Sequence, residues 1–144
     1  MVGTEALFHH SSRVYLFGRL LGQARGLTAD PELLYAVALM HDVGLTFASP
    51  RADGPTGTVG ADILRDLLIA DGRPVSLCRS LWDAVAFPDG TASEGESDQE
   101  VELFRAGRRA DRPGAELAEL DRDQIAAVRA AHPVRQSAGC RRLG

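Results

Sequence analysis

Four residues of this 144-residue chain have the types and spacing for metal chemistry: His10, His41, Asp42 and Asp111. His41 and Asp42 are adjacent at the end of the apolar stretch Leu33 to Met40, with Gly44 two residues on. An imidazole and a carboxylate side by side are two metal-ligand types on neighbouring residues. His10 recurs with Leu7, Val14, Phe17, Leu21 and Ala24 at helical spacing, which puts it on an apolar stripe rather than the wet face. Asp111 follows Phe104 by seven residues, two helical turns, so it belongs near the apolar side of its helix. Two neutral imidazoles and two carboxylates would balance a divalent cation and leave positions open for water or substrate. Water bound there would acidify toward neutral pH and become a nucleophile.

Each residue also has a plainer reading. His41-Asp42 suits a helix C-terminus, where a histidine meets the negative end of the dipole and the aspartate is solvated. His10 fits a hydrogen-bonded core histidine, and His9 is the neighbouring alternative, turned about 100° from the stripe. Asp111 fits a surface aspartate paired with Arg108, Arg109 or Arg112. Arg13, one turn from His10, suits an anionic substrate group or a carboxylate across the bundle.

The elements that must position these residues read as helices. The first covers 5–25, with Gly26 as its stop. The second opens at Asp30-Pro31-Glu32: a cap, a residue suited to the first helical position, and a charge at the positive end of the dipole. Leu34, Val37, Leu39 and Met40 drive its burial, and Gly44 is expected to end it. A loop over 47–57 leads to a third helix, 58–70, with Val59, Ile63, Leu64, Leu67 and Leu68 on one side and Asp71-Gly72 as its stop. A fourth, 75–87, carries Cys78, Leu81, Trp82 and Val85, with Trp82 expected in the core. Residues 88–98 are acidic and glycine-bearing, a loop with the composition of a lid. A fifth helix, 99–110, buries Val101 and Phe104. Pro113-Gly114 breaks the chain, and Asp121 with Gln124 at capping-box spacing opens a last helix, 122–131, which buries Ile125 and Val128 before Pro133 ends it. No alternating strand pattern occurs. The fold class is all-α, with one domain over 1–133 and a disordered tail over 134–144.

The bulk composition excludes several classes. A content of 44% hydrophobic and 25% charged residues is that of an ordinary globular protein. No apolar run approaches the ~20 residues of a membrane span, and Met1 to Phe8 has no pattern of a secretory leader. The net charge is -4, and the arginine-rich end lacks interleaved aromatic residues, so no nucleic-acid partner is expected. All 16 basic residues are arginine, which excludes a lysine nucleophile, a lysine base and a P-loop lysine. Cys78 and Cys140 form no metal-binding or disulfide pattern and fit a cytoplasmic protein.

Three segments together resemble the HD superfamily of metal-dependent phosphohydrolases, and more closely its cyanamide-hydratase-like branch. They are His10-Ser11-Ser12-Arg13-Val14-Tyr15-Leu16-Phe17-Gly18, the stretch Glu32 to Thr46 around His41-Asp42-Val43-Gly44, and Trp82-Asp83-Ala84-Val85. The resemblance covers about residues 5–133. It implies a bundle of about six helices holding one divalent metal ion (zinc, iron or manganese) through His10, His41, Asp42 and Asp111. It further implies hydrolysis or hydration of a small-molecule substrate, with Asp42 placed to orient or accept a proton.

The chain also departs from its relatives. Nucleotide-cleaving members often carry a lysine where this chain has Leu45, which favours the hydratase-like branch. Dinuclear members have further histidines between the His-Asp pair and the last aspartate; none lies between His41 and Asp111, so one metal is expected. The closer branch has a histidine where Pro88 stands, and acidic residues where Gly57 and Val59 stand. It also has helical sequence beyond both ends of this chain. Those losses support a second reading, a non-catalytic HD domain acting as a binding or scaffolding module. A shortened bundle would also favour a homo-oligomer that covers apolar surface. A third reading is a plain helical interaction protein in which His-Asp is incidental.

Overall fold

The computed structural model describes residues 4–47, 58–90, 98–112 and 115–134. Within them the chain forms six helices and no strand: α1 (Thr4–Arg25), α2 (Pro31–Phe47), α3 (Thr58–Ala70), α4 (Val75–Ala86), α5 (Gln99–Asp111) and α6 (Arg122–Ala131). A short 3-10 turn, Ala115–Glu119, links α5 to α6 and has no counterpart in the sequence reading. The tail from residue 135 and most of the two long loops (48–57 and 91–97) lie outside the described residues.

The helix starts follow their caps. The Glu32 backbone N–H donates to Asp30 Oδ1 at 3.0 Å, with Pro31 at the first helical position. The Asp121 backbone N–H donates to Gln124 Oε1 at 3.1 Å, one half of the capping box. At the end of α1, Gly26 adopts φ 69°. The Leu27 N–H then reaches the Gly22 carbonyl and the Gly26 N–H the Gln23 carbonyl, which closes α1 as a Schellman motif.

Gly44 does not end α2. The helix runs on to Phe47, and the only positive-φ glycines among the described residues are Gly26 and Gly72. A glycine inside a helix costs about 1 kcal/mol but forbids nothing. His41 and Asp42 therefore lie inside α2 rather than at its tip, and the helix-terminus account of the pair does not apply.

α2 is the central element, touching α1, α3, α4 and α5. Leu34, Val37 and Ala38 are fully buried on it, while Leu39 and Met40 are only partly so. The core continues through Val14, Phe17 and Leu21 of α1, Leu64 of α3, Leu81 and Val85 of α4, and Leu103 and Phe104 of α5. Ala24, read as part of the α1 stripe, faces solvent, and Trp82 is half-buried rather than central. Ile125 is half-buried and Val128 buried where α6 packs on α1.

The closest crossing is α1 on α5. A Cβ on Gly107 would overlap the Val14 carbonyl oxygen and stand 2.9 Å from the Gly18 nitrogen. One on Gly18 would stand 2.8 Å from the Leu103 carbonyl oxygen. Only residues without a Cβ allow the two backbones this near. That approach brings the start of α1, with His10, against the end of α5, with Asp111.

Candidate metal centre

α1 and α2 supply three ligand-type side chains to one point. Ligand atoms of His10, His41 and Asp42 all lie within 4.8 Å of one another. His10 Nε2 is 3.8 Å and His41 Nδ1 3.0 Å from Asp42 Oδ1. Ligand atoms of a tetrahedral ion with bonds of 2.0–2.1 Å stand ~3.4 Å apart, so both separations fall near that value. His41 and Asp42 are buried, at 5% and 2% exposure, and His10 is half-buried.

Each member is oriented from behind. Ser11, buried beside His10, donates its hydroxyl to Asp42 Oδ2 at 2.5 Å, leaving Oδ1 toward the two imidazoles. Asp111 Oδ2 lies 2.6 Å from His10 Nδ1. A proton held there leaves the Nε2 lone pair toward Asp42, the arrangement common for metal-binding histidines with a carboxylate behind them. His41 Nε2 accepts from Arg108 Nε at 3.1 Å, so a neutral ring carries its proton on Nδ1. The His41 Nδ1 contact with Asp42 is not aligned as a hydrogen bond, and this buried nitrogen has no hydrogen-bond partner among the described residues. In this tautomer a cation at Nδ1 would require the proton to move to Nε2 and the Arg108 bond to be given up. The His10 Nε2 lone pair, by contrast, already faces the buried Asp42 carboxylate, an arrangement that a cation would relieve.

Asp111, expected as a fourth ligand, stands outside the three-residue group, at the other ring nitrogen of His10. It is not a surface aspartate: its side chain is 7% exposed. Its partner is Arg13 on α1, through Nε to Oδ1 at 2.6 Å and Nη2 to Oδ2 at 3.3 Å. Burial would raise the Asp111 carboxyl, but the His10 bond and the Arg13 guanidinium outweigh it and hold it below the usual carboxylate range. As a direct ligand Asp111 would exchange the His10 bond for the cation. Arg13 Nη1 donates further to the carbonyls of His132 and Pro133 at 3.0 and 3.2 Å. Four of its five donors thus meet protein groups, the carboxylate-across-the-bundle alternative for this residue.

His9 faces away from the group, its Nδ1 3.1 Å from His132 Nδ1. Two contributors carry no distinctive sequence signal: Ser11 stands only as part of a motif, and Arg108 only as a partner for Asp111. Arg108 sits one turn before Asp111 on the same face of α5, a spacing that could have placed it at the centre. Its Nη1 also donates to Asp89 Oδ1 at 2.5 Å, and this bond holds the Asp89 carboxyl below its usual range. Trp82 Nε1 donates to Asp62 at 2.8 Å and takes no part in the centre.

A family model described as HD domain matches residues 7–123. No curated protein and no solved structure matches the chain. Among the described residues no helix is long and apolar enough to cross a membrane.

Proposed function

The chain belongs to the HD domain family, and from that premise we propose that it is a metal-dependent hydrolase or hydratase of the cyanamide-hydratase-like branch, acting on a small molecule. His10, His41 and Asp42 would hold one divalent cation, with Asp111 behind His10. The observation that carries this reading is the convergence of the three ligand-type side chains, with the His10 Nε2 lone pair facing the buried Asp42 carboxylate. A divalent ion bound there supplies Lewis acidity and acidifies water toward neutral pH. The protein's part is orientation. Asp111 fixes the His10 tautomer, Ser11 fixes the Asp42 rotamer, and Asp42 would orient or accept a proton at the centre. Histidine and carboxylate donors suit zinc, iron and manganese alike.

One observation favours the second reading, a non-catalytic binding module. Arg108 already places a cation on His41 Nε2. A resident guanidinium can balance the carboxylates without any metal. Metal content measured on the purified wild type and His41→Ala separates the two. We expect about one divalent ion per chain in the wild type and loss of most of it in the variant. Wild-type protein that stays metal-free after folding with zinc, manganese or iron(II) sinks the hydrolase reading. Turnover of phosphomonoesters or small nitriles by the loaded wild type sinks the binding-module reading.

A further inference from the structure

The α5 face that ends in Asp111 also carries a second cluster. Arg105, Arg108 and Arg109 on this helix, with Arg112 directly after its end, recur at spacings of three, four and seven. With Pro88 and Asp89 they line a cavity of about 100 Å³. That is several times the ~10–15 Å³ one water needs and well below the ~300 Å³ of a pocket that takes a whole ligand. The space suits one small group of a larger molecule.

Two of the four guanidinium groups have carboxylate partners. Arg109 pairs with Glu116 at 2.6 Å, and Arg108 with Asp89 at 2.5 Å. Arg105 and Arg112 have no ion pair among the described residues. Arg105 is the informative one, because its Nε is buried without a hydrogen-bond partner. Burial pushes its pKa down, against the pull of the Asp83 carboxylate, and the Arg109 charge adds a smaller push down. A buried guanidinium N–H without an acceptor is costly. Its planar fork of donors matches the oxygens of a phosphate or carboxylate.

We infer that this cavity is an oxyanion subsite, built to receive a phosphate or carboxylate group that the substrate carries beside the metal centre. The assignment to substrate rests on the hydrolase reading above, whereas the anion site itself stands on the arginines. Arg108 joins the two regions, with Nε on His41 and Nη1 on Asp89. An oxyanion that takes the place of Asp89 on Arg108 is thereby one guanidinium away from His41.

Inorganic phosphate and acetate, titrated separately by calorimetry into the full chain with EDTA present, test this directly. The wild type is expected to saturate with one anion per chain. Phosphate alone binding assigns a phosphate group, and acetate alone a carboxylate. Arg105→Gln should weaken binding at least tenfold, and Asp89→Asn, which removes the competing carboxylate, should tighten it. Arg129→Gln removes the same charge from the exposed side of α6 and should change nothing. If Arg105→Gln fails to fold by circular dichroism, Arg112→Gln at the exposed end of the cluster takes its place. No saturation by either anion, or equal weakening by the α5 and α6 variants, overturns the inference. Since EDTA keeps the metal out throughout, failure to bind the anion counts against this subsite alone, whereas wild type that stays metal-free after folding with zinc, manganese or iron(II) counts against the hydrolase reading alone.

Discussion

The α1–α5 seam and the α3–α4 hairpin are both pairs of packed helices, but they are held together differently. In the seam the backbones themselves touch, at Gly107 against Val14 and Gly18 against Leu103. Polar side chains then cross it: Arg13 and His10 both bind Asp111. In the hairpin, Leu64, Leu68, Cys78 and Leu81 meet as ordinary core, and the outer side of α3 leaves Val59, Ile63 and Leu67 exposed. The seam sets the position of chemical groups through direct backbone contact, which leaves no room for an added methyl. The hairpin supplies buried area, which tolerates small shifts because apolar contact has little direction.

Gly107→Ala is the sharpest way to break that contrast. The added methyl has to displace the Val14 backbone, and backbone cannot turn aside as a side chain can. The loss should exceed ~4 kcal/mol, in the range reserved for outright steric failure. Urea unfolding measures it. A loss under 1 kcal/mol would show that the seam opens freely, and the rigid positioning of His10 against Asp111 would go with it.

Arg13→Met comes next. It keeps the length of the side chain but strands a buried carboxylate, since Arg13 and Asp111 are 8% and 7% exposed. Removing one partner of a buried pair costs about 3–5 kcal/mol. For the apo protein at neutral pH a loss of about 3 kcal/mol is expected, with His10 left to compensate part of the charge. A cost near zero would mean that water reaches Asp111.

The same carboxylate sets a pH dependence. Its folded pKa lies below the ordinary value, so the stability it contributes is complete above the unfolded pKa of ~3.9 and is lost as pH falls through the folded value. Asp111→Asn should therefore be less stable at neutral pH and show a flatter decline below about pH 4. Asp89 and Glu116 are held low by their own arginines and preserve part of the acid limb. An acid limb as steep in the variant as in the wild type would remove Asp111 from the buried pair.

The comparison also explains what could be read from the residues. Helix positions were legible because they depend on local signals: Asp30-Pro31-Glu32 and the Asp121–Gln124 box start α2 and α6, and Gly26 and Gly72 stop α1 and α3. The candidate ligands were legible because His10 and Asp111 sit at helical spacing from core residues. What could not be read depends on which helix meets which. Gly107 looks like a weak helix residue until α1 lies across it. Gly44 reads as a stop, yet the helix passes through it to Phe47. The ligand-type nitrogen of His41 that Arg108 engages is fixed only by the α2–α5 contact.

Leu67→Ser carries the smallest expected effect and is the cleanest test of the hairpin side. Leu67 is 55% exposed, on the same face as Val59 and Ile63. Sequence periodicity assigned all three to the buried side together with Leu64 and Leu68, because five apolar residues in one helix exceed what a single face can hold. α2 and α4 take the Leu64 and Leu68 side, and the remaining three spill onto the surface. A surface substitution of this kind changes stability by no more than ~0.5 kcal/mol. Urea unfolding at two protein concentrations measures it. A larger loss that grows with protein concentration would show Leu67 covered in an assembly, and the outer face of α3 would then carry a positional demand like that of the seam.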